Sequence, residues 1–330
     1  MSAAIAPVVE LVDVEKSYDT KKAVRGVSLR IEPGTMFGLL GPNGSGKTSS
    51  IRMMIGITVP DAGEVRLFGQ PFTRAAVRRV GYLPEERGLY KKMKVIDQLV
   101  FLGQLHGLSE QTATARARAW CERLEITEAM PKKTEELSKG MQQKIQFIAA
   151  LLHEPDLVIM DEPFSGLDPV NAALLQETLL ELRREGRTIL FSTHRMDQVE
   201  RMCDAIALIS RGQVVLEGSM RSVKGQYPHN RVEIVFEGDP GFLSHPTVED
   251  AQTFASDAAG RGGRAEIRLR TIDGRAADSQ PLLMEALARG TRVLRFEVRE
   301  PTLEEIFIER VGRDTVESVD SELPGGRARA

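Results

Sequence analysis

The sequence predicts an α/β main domain with a small α+β domain after it, on three observations. Between about Val8 and Met220, short apolar runs of strand length alternate with longer stretches of helical periodicity. Inside that region a glycine-rich segment, Gly41 to Thr48, follows directly on the apolar run Met36 to Leu40. From about Asn230 the pattern turns to period two: Val232, Ile234 and Phe236 alternate with Arg231 and Glu233, and Leu294, Phe296 and Val298 with Arg295 and Glu297.

The bulk properties agree with such a chain and exclude others. At 330 residues it can build one large and one smaller core. Hydrophobic residues at 42% and charged residues at 28% are those of a globular protein. The net charge of −3 supplies no global field for nucleic acid, so no nucleic-acid partner is expected. Cys121 and Cys203 have no metal-site or disulfide spacing, which fits a reducing cytoplasm. The N-terminus lacks a basic segment followed by a long apolar one, and no run reaches the ~18 apolar residues that span a bilayer. Any membrane role must therefore come through a partner.

Residues 8–220 are read as the main domain and 230–311 as the accessory domain, with a loose polar tail over 312–330. Within the main domain stands Gly41-Pro42-Asn43-Gly44-Ser45-Gly46-Lys47-Thr48, a GxxxxGK[ST] pattern between a strand and a helix. Its glycines let successive amides turn toward one anion, and the helix start at Lys47, continuing through Ser49, adds its positive dipole end. Lys47 is the partner for β- and γ-phosphates, and Thr48 offers a hydroxyl oxygen to Mg²⁺. A ligand-free glycine turn is the competing interpretation.

A second apolar strand, Leu157 to Met160, runs into Asp161-Glu162-Pro163, so two carboxylates stand at a strand's C-terminal end. Asp161 suits Mg²⁺, which takes oxygen ligands, and Glu162 suits the role of base for an attacking water. Taken alone they would equally serve as solvated turn residues. A third strand, Thr188 to Thr193, ends at His194, which can face a γ-phosphate or be structural.

The order of these segments resembles that of ABC ATPases. Leu137-Ser138-Lys139-Gly140-Met141-Gln142-Gln143 is similar to the family's signature, and Ser165-Gly166-Leu167-Asp168 to its D-loop. Ser138 stands where an N-cap belongs, ahead of a helix with Ile145, Ile148, Ala149 and Leu152 on one stripe. The resemblance implies that Ser138 and Gly140 complete the ATP site of a second copy, in a head-to-tail dimer. It also places Tyr18 against adenine, a flat apolar base. A packed core tyrosine is the alternative there.

Two departures from the family pattern stand out. Glu85, in Gly81-Tyr82-Leu83-Pro84-Glu85-Glu86-Arg87, occupies the Q-loop position where glutamine is usual; it remains able to bind Mg²⁺ or the attacking water. Lys139 and Met141 replace the commoner signature glycine and glutamine.

Helical periodicity at Val95, Leu99 and Leu102, and again from Ala113 to Leu124, resembles the family's helical subdomain, about residues 86–152. There Leu89, Tyr90 and Met93 are candidate contacts for an integral membrane permease, while Lys91, Lys92 and Lys94 read as a solvated face. The segment from Gly81 to Tyr90, with Thr302-Leu303-Glu304-Glu305-Ile306-Phe307, is similar to bacterial sodium-efflux exporter ATPases. The resemblance thus implies a Mg²⁺-dependent ATPase subunit of an exporter, cytoplasmic and peripheral on the inner membrane face. Two alternatives stand against it: a soluble ABC ATPase acting on ribosomes or nucleic acid, and a nucleotide-controlled regulator without significant turnover.

Overall fold

The computed structural model describes residues 6–86, 88–227, 230–255, 263–272 and 275–312. Gly260, Gly262 and Gly263 read as a turn in the sequence; residues 260–262 of it, and 313–330 of the expected tail, lie outside these residues. The chain forms two compact units, the first reaching Met220 and the second spanning Arg221–Arg310.

The first unit opens with β1 (Val9–Tyr18), β2 (Lys21–Ile31), β3 (Met36–Leu40) and α1 (Lys47–Met54). Next come β4 (Ala62–Leu67), β5 (Gln70–Pro71), α2 (Arg74–Val77) and β6 (Val80–Leu83). Helices α3 (Val95–Leu105), α4 (Glu110–Arg123) and α5 (Lys139–Leu151) then precede β7 (Leu157–Asp161). The unit closes with α6 (Pro169–Arg184), β8 (Thr188–Thr193), α7 (Met196–Met202), β9 (Ala205–Ser210) and β10 (Gln213–Ser219).

Every residue of β3, β7 and β8 is buried, which is why these strands read as unbroken apolar runs rather than alternating ones. They lie parallel at the centre of a sheet ordered β10-β9-β3-β8-β7-β6. An antiparallel sheet, β2-β1-β4-β5, shares a core with it through residues such as Val14, Val27, Ile51 and Ile159. Ile159 is wholly buried two residues before Asp161; its truncation to alanine would cost about 2–5 kcal/mol and loosen the strand that carries the carboxylate.

The helical region is tightly closed. A Cβ on Gly103 of α3 would come within 2.9 Å of the Ala113 Cβ on α4, so small residues set that approach. Val95 and Leu99 face inward, whereas Leu102 is half-buried.

The second unit contains α8 (Met220–Gly225, beginning at the boundary), β11 (Arg231–Glu237), β12 (Val248–Ala255), β13 (Gly263–Leu269), β14 (Thr271–Ile272) and β15 (Arg275–Ala276). It ends with α9 (Gln280–Ala288), β16 (Arg292–Arg299) and α10 (Leu303–Val311). The antiparallel order β12-β13-β11-β16 buries Val232, Ile234, Phe236 and Ile267 against Phe242, Leu282 and Ala286. One expectation is corrected: Leu294 and Val298 are 51% and 47% exposed. They lie on an edge strand whose register shifts opposite Val235 and Phe236, so alternation there does not bring burial. At α10 the Thr302 and Glu305 pair does form a reciprocal cap: the Thr302 amide donates to Glu305 Oε2 at 2.9 Å, and the Glu305 amide to Thr302 Oγ1 at 3.2 Å.

Candidate functional site

The phosphate loop is shaped by close approaches that leave no room for side chains. Gly41 has φ +148°, and a Cβ there would meet the Ile209 carbonyl oxygen at 2.1 Å; one on Gly46, at φ +114°, would meet the Ala23 oxygen at 2.7 Å. The loop is thereby wedged between β9 and β2 and delivers the chain into α1 at Lys47. Lys47 is buried, and its Nζ donates to the carbonyls of Gly41 at 2.7 Å and Pro42 at 3.2 Å. Burial lowers the pKa of this ammonium, against the opposing pull of Glu162, Asp161 and Glu85.

Parallel pairing places Asp161, the last residue of β7, beside Ser192 of β8. Ser192 Oγ donates to Asp161 Oδ1, while Asp161 Oδ2 is buried and has no partner among the described residues. A buried carboxylate oxygen left open in this way fits a cation or its bound water. Among the described residues no three His, Cys, Asp or Glu side chains cluster as a ready-made metal site. A metal here would therefore depend on Asp161, on Thr48 and on oxygens of the ligand itself.

Glu162 adopts φ +50°, a region that costs a residue other than glycine about 1–2 kcal/mol. The turn aims its carboxylate at the end of β8. Oε1 accepts from the His194 amide at 3.0 Å and from His194 Nδ1 at 2.8 Å, and Oε2 accepts from Thr193 Oγ1 at 3.1 Å. This hydrogen bond raises the His194 pKa above that of a free histidine. Glu85 stands nearby with its pKa raised, first by burial and then by Asp161 and Glu162.

These groups meet in one cavity of about 380 Å³. Tyr18, Asn43, Gly44, Gly46, Lys47, Thr48, Ser49, Glu85, Asp161 and Glu162 line it; Gly41 and Pro42 contribute through their bonds to Lys47, and His194 through Glu162. Ser45 is buried in the loop. Ser138, Gly140 and Asp168 do not line the cavity. Ser138 caps α5, its Oγ accepting from the Met141 amide at 3.2 Å, and Asp168 caps α6, accepting from the Asn171 amide at 3.0 Å. Gln143 ties α5 to the loop after Glu162 through a 3.0 Å bond to the Pro163 oxygen.

Sequence reasoning missed Lys21 and Ala23, which also line the cavity, and Ser192. Ser192 carries no signal of its own in the sequence, because only the parallel register sets it opposite Asp161.

Residues 24–165 match the ABC transporter family, and residues 218–311 match the C-terminal domain of DrrA1-3-like ATP-binding proteins. The ABC transporter ATP-binding protein YhaQ of Bacillus subtilis is 43% identical over 91% of this chain and 97% of its own. A Nod factor export ATP-binding protein I of Burkholderia thailandensis is 35% identical over 94% of this chain and 99% of its own. A solved ATP-binding subunit of an ABC transporter, 30% identical, superposes with a TM-score of 0.62 over 66% of this chain and 92% of its own. With the phosphate loop, the paired carboxylates and a DrrA-like C-terminal domain on one chain, this protein belongs to the family of ABC transporter ATP-binding proteins, in its DrrA-like group.

Proposed function

We propose that the chain hydrolyses ATP and thereby drives a separate membrane permease. The observation that carries this reading is the convergence of Lys47, Asp161 and Glu162 in one cavity at the C-terminal ends of parallel strands. ATP binding moves Lys47 from the Gly41 and Pro42 carbonyls to the phosphates, where a desolvated ammonium acts strongly. Tyr18 stacks on adenine. Glu162, released from His194, polarises the attacking water, and His194 donates to the γ-phosphoryl oxygens.

Thr48 and Asp161 would hold Mg²⁺, with Glu85 beside them, and the ion would supply positive charge to offset that of the phosphates. Ser138 and Gly140 of a second copy close the site, and Asp168 lies at the same junction. The permease docks beside the helical region. There a cavity of about 360 Å³, lined in part by Leu89, Leu102 and Ala149, is accompanied by the exposed apolar residues Ile57, Tyr90 and Leu105. No helix of the described residues is long and apolar enough to cross a membrane; the permease is what would hold the chain at the cytoplasmic face.

Glu162→Gln tests the enzymatic claim. Phosphate release should fall about 10²- to 10⁴-fold, the usual worth of a general base, while ATP binding persists and dimers accumulate on gel filtration. Equal turnover by wild type and variant would leave the chain a nucleotide-binding regulator.

A further inference from the structure

We propose that Lys21 is a second cationic contact for the phosphate chain of the nucleotide, an inference that rests on the ATP-site reading above. The β1–β2 hairpin carries three lysines in a short span, and their surroundings differ. Lys16 Nζ is held by Asp61 at 2.6 Å, and Lys22 Nζ by Glu15 at 2.8 Å. Lys21 has no carboxylate within ion-pair distance among the described residues. Its Nζ stands instead 4.0 Å from the point where a Cβ on Gly44 would project, over the turn of the phosphate loop.

Backbone geometry puts it there. Lys21 pairs with Tyr18 across the hairpin, and the two line the cavity together. The β1–β2 register shifts at Ala23, and both Lys21 and Ala23 line the cavity. Ala23 is fixed against the loop by the approach of its carbonyl to Gly46, so Lys21 is carried along the loop toward Gly44. An unpaired ammonium beside an anion-binding turn, next to the ring placed for adenine, has the chemistry to grip phosphate from the solvent side.

The test is titration of the full-length chain with a fluorescent ATP analogue and Mg²⁺, at low and high salt. Lys21→Ala should raise Kd about three- to tenfold at low salt, and the difference from wild type should shrink as salt screens the contact. Lys21→Arg should return Kd to within about twofold of wild type, Lys22→Ala should leave it unchanged, and melting temperatures should be alike. If Lys21→Ala binds as wild type does while Lys47→Ala loses binding, Lys21 is only a solvated lysine and the proposal is wrong. If Lys47→Ala also binds as wild type does, the ATP-site reading itself falls, and the role of Lys21 with it.

Discussion

Gly41 and Gly140 are both glycines of family motifs, yet only one is demanded by the fold of this chain. A Cβ on Gly41 would collide with the Ile209 carbonyl, whereas one on Gly140 would lie 3.6 Å from Leu167 Cδ2, an ordinary contact. Nothing in the protomer therefore bars a side chain at position 140, and under the proposed function a substituent there would meet the γ-phosphate bound by a second copy. Gly140→Asp, in the first turn of α5, places an acid where the helix dipole favours one. Its melting temperature should match or exceed that of wild type, while ATP turnover drops at least about tenfold through repulsion of the phosphate. Gly41→Ala should lose both stability and nucleotide binding. A Gly140→Asp protein that melts early, or that turns over ATP normally, would show that the glycine serves the protomer after all.

Elements made of continuous buried residues were the most legible in the sequence. The strands β3, β7 and β8 announce themselves as apolar runs because neither face meets water, and their ends locate Gly41, Asp161 and His194. Partnerships set by register were not legible: Ser192 reaches Asp161 only because β7 and β8 lie parallel, and Lys21 reads as one more surface lysine until β2 is laid on the loop. The packing of α3 beside α5 hides another such pair. His106, capping α3, stacks on His153 with ring centroids 3.8 Å apart, and His153 Nε2 donates to the Val80 oxygen at 3.1 Å. Burial, with His106 and Arg116 adding to it, pushes the His153 pKa down from 6.5 to about 4. The unfolded chain thus takes up this proton first, so stability is fully present above pH 6.5 and is lost as pH falls toward about 4. His153→Phe keeps a flat ring on His106 but cannot be protonated. Across that range its melting temperature should fall less steeply than that of wild type; parallel curves would remove His153 as the cause.

At the scale of the whole molecule, Lys47 lies in the cavity while Ser138 and Gly140 lie outside its lining, so under the proposed function one chain would carry two half-sites that do not meet. In a two-fold dimer each nucleotide would then use Lys47 from one chain and Gly140 from the other, and every defect would be shared between two sites. This has a consequence for mixtures. In homodimers of Lys47→Ala both sites lack the lysine, and in homodimers of Gly140→Asp both lack a usable helix start, so each protein alone should be near background. A mixed dimer gathers both defects into one site and leaves the other intact. Equimolar mixing makes about half the dimers mixed, so turnover should recover to roughly a quarter of wild type if sites act independently. Recovery should rise as one variant titrates the other, peak at equal amounts and vanish on dilution below the dimer's Kd. Phosphate release that stays at the sum of the two backgrounds, with mixed dimers demonstrated by differential tagging, would mean that the half-sites do not complete each other across the interface.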